Sequence, residues 1–207
     1  IAHRPPRMPD DEAERRLNAQ VAFLNEADKL KTVVRGTTLC DGSRNENSAE
    51  HSWHLTLYAL VLADQAGPGV DMTRVIKMLI LHDLVEIDAG DNPIFGNHDI
   101  ADMEVQEQLA ADRIFGILPD DLRDDLRSIW EEFEAAKSPS AQFAKSLDRF
   151  QPPMQNLLSG GGSWNTFNVD QDQIEARVGR KIAIGAPRLW HYAKKKIAAF
   201  FDAQAAG

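Results

Sequence analysis

The residues of this chain best suited to chemistry are His82 and Asp83, set in the middle of an apolar run. From Val75 to Ile87 the residues Val75, Ile76, Met78, Leu79, Ile80, Leu81, Leu84, Val85 and Ile87 leave no continuous polar face, so the segment reads as a helix enclosed by other elements. The same run carries Glu86. Buried carboxylates cost several kcal/mol unless they are paired or bind a metal, so two of them beside an imidazole call for a common partner, and a divalent cation is the simplest one. Neighbouring helix residues diverge by about 100 degrees, so His82 and Asp83 can share an ion only if it lies beside the helix, between their two directions.

One further histidine and one further carboxylate from flanking helices would complete a mixed nitrogen and oxygen shell. His51 and Asp148 lie on segments with the right apolar faces. Such a shell suits one divalent transition ion, Mn, Co, Fe, Ni or Zn, and fits Mg less well because Mg prefers all-oxygen surroundings. Each residue taken alone has a plainer reading: a histidine on an apolar helix face is more often a core residue, and Asp148 next to Arg149 can simply be an ion pair.

Positioning these groups requires helices. A first helix is expected from about Asp11 to Val33, with Leu17, Val21, Leu24 and Leu30 as its apolar stripe and Arg35-Gly36 at its end. The polar segment Gly36 to Asn45 reads as a surface connection. Asn47 or Ser48 caps a second helix that reaches about Gln65 and turns His51 and His54 inward. Asp71 caps the central helix, and Gly90 stops it. Helices at about 99–116 and 119–136 follow, and another is capped by Ser138 with Pro139 in its first turn. Pro152-Pro153 should kink or end that helix one turn after Asp148. Two last helices, about 170–184 and 187–203, close the chain. No alternating strand pattern of useful length is present, so the fold class is all-α, a compact bundle of about eight helices. Residues 1–9 read as a flexible lead-in and 10–207 as one domain.

The net charge of −9 among 207 residues argues against a nucleic-acid polymer as partner. The acidic residues Asp120, Asp121, Asp124, Asp125, Glu131, Glu132 and Glu134 read as a solvated helix face, and Lys194 to Lys196 as cations near a helix C-terminus. No run approaches the roughly 18 apolar residues of a membrane span, and no signal-peptide core opens the chain. The single cysteine, Cys40, leaves no internal disulfide or Cys-based zinc site, in keeping with a cytoplasmic location. Ser159 to Ser163 is Gly-rich, but no strand precedes it and no Gly-Lys-Ser/Thr follows, so it reads as a turn.

As an ordered set, the segments Leu30–Arg35, Glu46–Ser52, His82–Glu86 through Gly90-Asp91, and Lys145–Asp148 resemble the HD-domain metal-dependent phosphohydrolase superfamily. They are most similar to its 5'-deoxynucleotidase-like branch, which includes the YfbR-like bacterial enzymes. The resemblance spans about residues 20 to 160. It implies that His51, His82, Asp83 and Asp148 hold the metal. It also implies that Glu86 is a catalytic residue beside metal-activated water, that Arg35 lies on the substrate phosphate, and that Asp91 stands at the substrate. The activity implied is phosphomonoester hydrolysis of nucleoside or deoxynucleoside 5'-monophosphates, and the assembly implied is a homodimer. Gly36 departs from the bulky aromatic that deoxy-selective relatives carry beside the arginine, so sugar preference does not transfer. Arg35 also has a plainer reading, as a cation at a helix C-terminus. His54 and Glu50 are expected to be packing or supporting groups, and Arg44 an optional second phosphate contact.

Two other functions compete. A di-iron oxygenase or two-metal phosphodiesterase of the same superfamily needs extra histidines, and only His98 lies between Asp83 and Asp148. A non-catalytic, metal-stabilised nucleotide-binding scaffold has no need of a carboxylate such as Glu86 beside its ion.

Overall fold

A computed structural model describes residues 10–96 and 99–206. The expected lead-in at 1–9 and His98 lie outside the described residues. The order of elements is α1 (Asp10–Ala27), a 3-10 turn (Asp28–Thr32), β1 (Val34–Thr38), β2 (Asn45–Asn47), α2 (Ser48–Val61), α3 (Met72–Leu81), a 3-10 turn (His82–Val85), α4 (Glu86–Ala89), α5 (Ile100–Phe115), α6 (Asp120–Ala135), α7 (Pro139–Leu158), α8 (Gly162–Thr166), α9 (Gln171–Ile174), a π turn (Glu175–Gly179), α10 (Arg180–Gly185) and α11 (Pro187–Ala205). The class is helical, as expected.

Three caps anticipated from the sequence set the starts of the helices that carry the site. Asn47 accepts from the Glu50 N–H while the Glu50 side chain accepts from the Asn47 N–H, a reciprocal capping box. Asp71 accepts from Thr73 and Arg74 at the start of α3, and Ser138 accepts from Ala141 at the start of α7. Gly90, at φ 76°, ends α4 in a conformation that glycine adopts without strain. One core runs through α2, α3, α6 and α7, with Leu55, Met78, Leu79, Ile129, Trp130, Phe143 and Leu147 fully buried.

Four expectations need correction. The Gly36 to Asn45 connection is a hairpin, with β1 antiparallel to β2 and Val34 opposite Asn47. The Asn45 side chain donates to the Arg35 carbonyl, and Leu39 N–H donates to the Arg44 carbonyl. Five residues rich in Thr and Gly carry too little apolar alternation to be read as a strand. Second, the stripe on α1 is not buried: Leu17, Val21 and Leu24 are exposed, while Phe23 and the following Leu30 enter the core. Third, the central helix is not uniform, since His82–Val85 tightens into a 3-10 turn. His82 Nδ1–H donates to the Leu79 carbonyl, the acceptor a continuing α-helix would offer to Asp83 N–H. Fourth, of the two outcomes expected at Pro152-Pro153, a kink or an end, the end does not occur: α7 reaches Leu158 with both prolines inside it. Packing of its buried face, with Phe150, Pro153 and Gln155 enclosed, outweighs the roughly 3 kcal/mol that a helical proline costs.

Candidate metal centre

Three helical segments converge on one point. The capping box orients the first turn of α2 and so His51, the 3-10 turn presents His82 and Asp83, and the middle of α7 presents Asp148. All four residues are buried. The candidate ligand atoms of His51, His82 and Asp83 lie within 4.8 Å of one another. Asp148 Oδ1 joins them, 3.1 Å from His51 Nε2 and 3.8 Å from His82 Nε2.

The hydrogen bonds around the two imidazoles fix their tautomers. Gln151 donates through Nε2 to Glu46 Oε1 at 3.0 Å, which turns its Oε1 toward His51 Nδ1 at 3.1 Å. Glu46 Oε2, 3.4 Å from the same nitrogen, is also an acceptor, so His51 carries its proton on Nδ1. His82 Nδ1 faces the Leu79 carbonyl at 3.0 Å and must carry a proton as well. Both Nε2 lone pairs therefore point into the cluster. His82 Nε2 is buried without a hydrogen-bond partner, although Asp83 Oδ1 lies 2.9 Å away. His51 Nε2 likewise faces the Asp148 carboxylate.

Two lone pairs and two carboxylates meet with no donor between them. A divalent cation satisfies all four at once, and a mixed N/O set is the right chemistry for it, with the outer N–H groups held as metal-bound histidines require. Without an ion a proton must serve instead. Burial and the charge of Arg35 pull the His51 pKa down, but Asp148 and Glu46 outweigh them and raise it.

Arg35 lies in β1, not at a helix end, which removes its reading as a helix C-terminal cation. Its Nη1 is 3.1 Å from Asp83 Oδ2, 3.5 Å from Asp91 Oδ1 and 3.8 Å from Glu86 Oε1, and its Nε is 3.6 Å from Glu46 Oε2. Glu86 opens α4 and accepts a 2.5 Å hydrogen bond from Ser48 Oγ–H. Burial and the adjacent Asp83 push its pKa well above the ordinary value. Asp91 accepts from Gly36 N–H at 3.0 Å, and burial raises its pKa too. For Asp83 and Asp148 burial also acts upward, yet other groups win. His82 and Arg35 hold Asp83 at about 2, and Arg149 with His51 holds Asp148 well below its usual range.

Arg35, His82, Asp83, Glu86, Asp91 and Asp148 border one cleft, whose apolar wall includes Phe95, Phe133, Trp164 and Phe167. A Cβ at Gly36 would stand 3.2 Å from Pro93 and 3.7 Å from Phe167. Aromatic bulk at this point of the wall thus comes from Phe167, close to where a side chain at position 36 would begin. Of the outer residues expected from the sequence, His54 supports the centre through Gln151 Nε2 at 3.2 Å. Arg44 instead pairs with Glu50 at the surface, 2.6 Å apart, outside the cleft. Three supporting groups were not singled out from the sequence: Glu46, Ser48 as a partner of Glu86, and Gln151. Only Gln151 left a signal, one turn beyond Asp148 on the same helix face.

The model of the HD-domain family matches residues 27–190. This chain is an HD-domain protein. The crystal structure of a predicted metal-dependent phosphohydrolase from Magnetospirillum magnetotacticum MS-1 superposes with a TM-score of 0.85 at 41% identity, covering 91% of this chain and 96% of that one. The human 5'-deoxynucleotidase HDDC2 is 30% identical over 134 residues, which are 64% of this HD-domain chain and 64% of that protein. Its zebrafish counterpart is 29% identical over 67% of this chain and 68% of the relative. Among the described residues no helix is long and apolar enough to cross a membrane.

Proposed function

We propose that this HD-domain protein is a metal-dependent phosphomonoesterase that hydrolyses nucleoside or deoxynucleoside 5'-monophosphates to nucleoside and phosphate. The observation that carries the reading is the convergence of two imidazole lone pairs and two carboxylates without a donor, beside an arginine and a carboxyl group whose pKa is raised. The names of the human and zebrafish relatives support the substrate class.

His51, His82, Asp83 and Asp148 would hold one ion, and the nitrogen donors favour Mn, Co, Fe, Ni or Zn over Mg. When bound, such an ion supplies Lewis acidity toward a phosphoryl oxygen and lowers the pKa of a coordinated water. Glu86 is the proton carrier: its carboxylate takes a proton from water as the water oxygen bonds to phosphorus, and the resulting carboxyl group returns it to the ester oxygen as the P–O bond breaks, so that the nucleoside leaves as the alcohol. A raised pKa suits a carboxylate that must take up a proton and give it back. Arg35, crowded by carboxylates, offers its fork to the phosphate. Asp91 holds Gly36 N–H and keeps Arg35 facing the cleft.

The test is phosphate release from a panel of ribo- and deoxynucleoside monophosphates with each of several divalent metals. Release from a 5'-monophosphate is expected, and its absence across the whole panel would refute the reading. A one-ion site is favoured over the two-metal chemistries by the single cluster of metal-ligand geometry among the described residues.

A further inference from the structure

Arg149 follows Asp148 on α7 and lines the same cleft. Among the described residues most arginines are engaged. Arg74 binds Glu132, Arg113 binds Asp88 and Glu26, and Arg127 binds Asp112 and Glu131. Arg149 differs. Its side chain is 22% exposed, its Nε is buried without a hydrogen-bond partner, and Asp148 Oδ2 at 3.6 Å is too far for a hydrogen bond. Leaving part of a planar five-donor cation unpaired and largely out of water is costly, so the position makes sense if an anion completes it.

The arrangement says where that anion arrives. Asp148 turns Oδ1 to the histidines and Oδ2 to Arg149, as Asp83 turns Oδ1 to His82 and Oδ2 to Arg35. Each candidate ligand carboxylate therefore separates the ion cluster from one guanidinium. Lys145, the other cation of this wall, is already committed, 3.0 Å from Glu134 and over the Phe133 ring.

We infer that Arg149 is a second phosphate-binding residue, gripping from the Asp148 side the phosphoryl group that Arg35 meets from the Asp83 side. The inference rests on the phosphomonoesterase reading. Two guanidinium forks match the doubly charged terminal phosphate of a monoester, and a phosphodiester with one negative charge gives up part of that match. The pair thus selects monoesters over diesters.

The test uses the metal-loaded full chain and inorganic phosphate as probe, measured by titration calorimetry beside metal content. Arg149→Gln is expected to keep its metal and to bind phosphate about 10-fold or more weakly, the usual scale for a lost hydrogen bond to a charged group. Its KM for a nucleoside monophosphate should rise in step. Arg149→Lys, which keeps the charge and loses the fork, should fall between. Unchanged phosphate affinity in Arg149→Gln, or weakening that only follows loss of metal, would overturn the inference, as would a wild-type protein that binds no phosphate. If Arg149→Gln does not fold, Arg149→Lys decides, and wild-type affinity there counts against the fork. Phosphate binding that depends on Arg149 with no turnover of any nucleotide would leave this inference standing while the phosphomonoesterase reading fails.

Discussion

Of the carboxylates around Arg35 and the two histidines, the four that border the cleft, Asp83, Asp148, Glu86 and Asp91, fall into two sides. Asp83 and Asp148 are held below the ordinary range, whereas Glu86 and Asp91 are pushed above it. Burial does not separate them, because their side chains are 9%, 11%, 14% and 10% exposed in that order. Desolvation is the largest influence on all four and acts upward on each. Neighbours decide the difference. Asp83 faces imidazole and Arg35, and Asp148 faces Arg149 and imidazole, while Glu86 has Asp83 beside it and accepts from a hydroxyl. One side of the cleft stays anionic and is suited to a cation. The other, the proton-holding side, takes up protons more readily than free carboxyl groups do, and such a division of titratable groups is how acid–base roles are set apart in an active site.

The largest effects should come from breaking the anionic side. Asp83→Ala and Asp148→Ala are expected to lose the ion and lower phosphate release by more than the roughly 10–100-fold that changing an outer partner of a metal ligand costs. Metal analysis alongside the activity assay reads both, and a stoichiometric ion in either variant would remove that residue from the ligand set. On the proton-holding side, Glu86→Gln should keep metal and fold and lower kcat by about 10²–10⁴, the range for general acid–base groups. Undiminished turnover would merge the two sides into a simple metal shell.

Much of this division can be read from the sequence, though not all of it. His82-Asp83 in an apolar helix announces a buried charge that needs a partner, and Asn47, Asp71 and Ser138 announce the helix starts that aim the site, because capping is local chemistry. What lies across the fold is not legible. Arg35 was expected at a helix end and sits in a strand, because a short Thr/Gly hairpin is stabilised by backbone pairing that leaves no hydrophobic period. Leu17, Val21 and Leu24 have helical spacing but stay exposed, since a period shows a stripe without showing what covers it. Glu46 reaches His51 Nδ1 from β2, just before α2 begins, a contact that depends on the turn from strand to helix and has no helical spacing to announce it.

A smaller effect tests the proton-holding side without catalysis. The folded pKa of Glu86 lies above its ordinary 4.5. Its contribution to stability is therefore fully present below that value and is lost as pH rises through the folded pKa. Gln at this position cannot titrate. In chelator-treated protein, the urea midpoint of wild type should fall relative to Glu86→Gln as pH rises from about 4 toward neutrality. The other carboxylates are common to both proteins and cancel to first order. Parallel curves would place Glu86 with Asp83 on the anionic side.

The smallest expected effect belongs to Ser48. Its hydroxyl donates to Glu86 Oε2 at 2.5 Å and holds that pKa down against burial. Ser48→Ala should raise the Glu86 pKa further, so the added instability should be larger at neutral pH than in acid. A net hydrogen bond of about 1 kcal/mol bounds the difference in stability between the two ends of the range. The same urea series measures it. An equal loss at both ends of the pH range would mean that the hydroxyl stabilises carboxyl and carboxylate alike, and the contrast between the two sides would then rest on the cations and imidazoles beside Asp83 and Asp148.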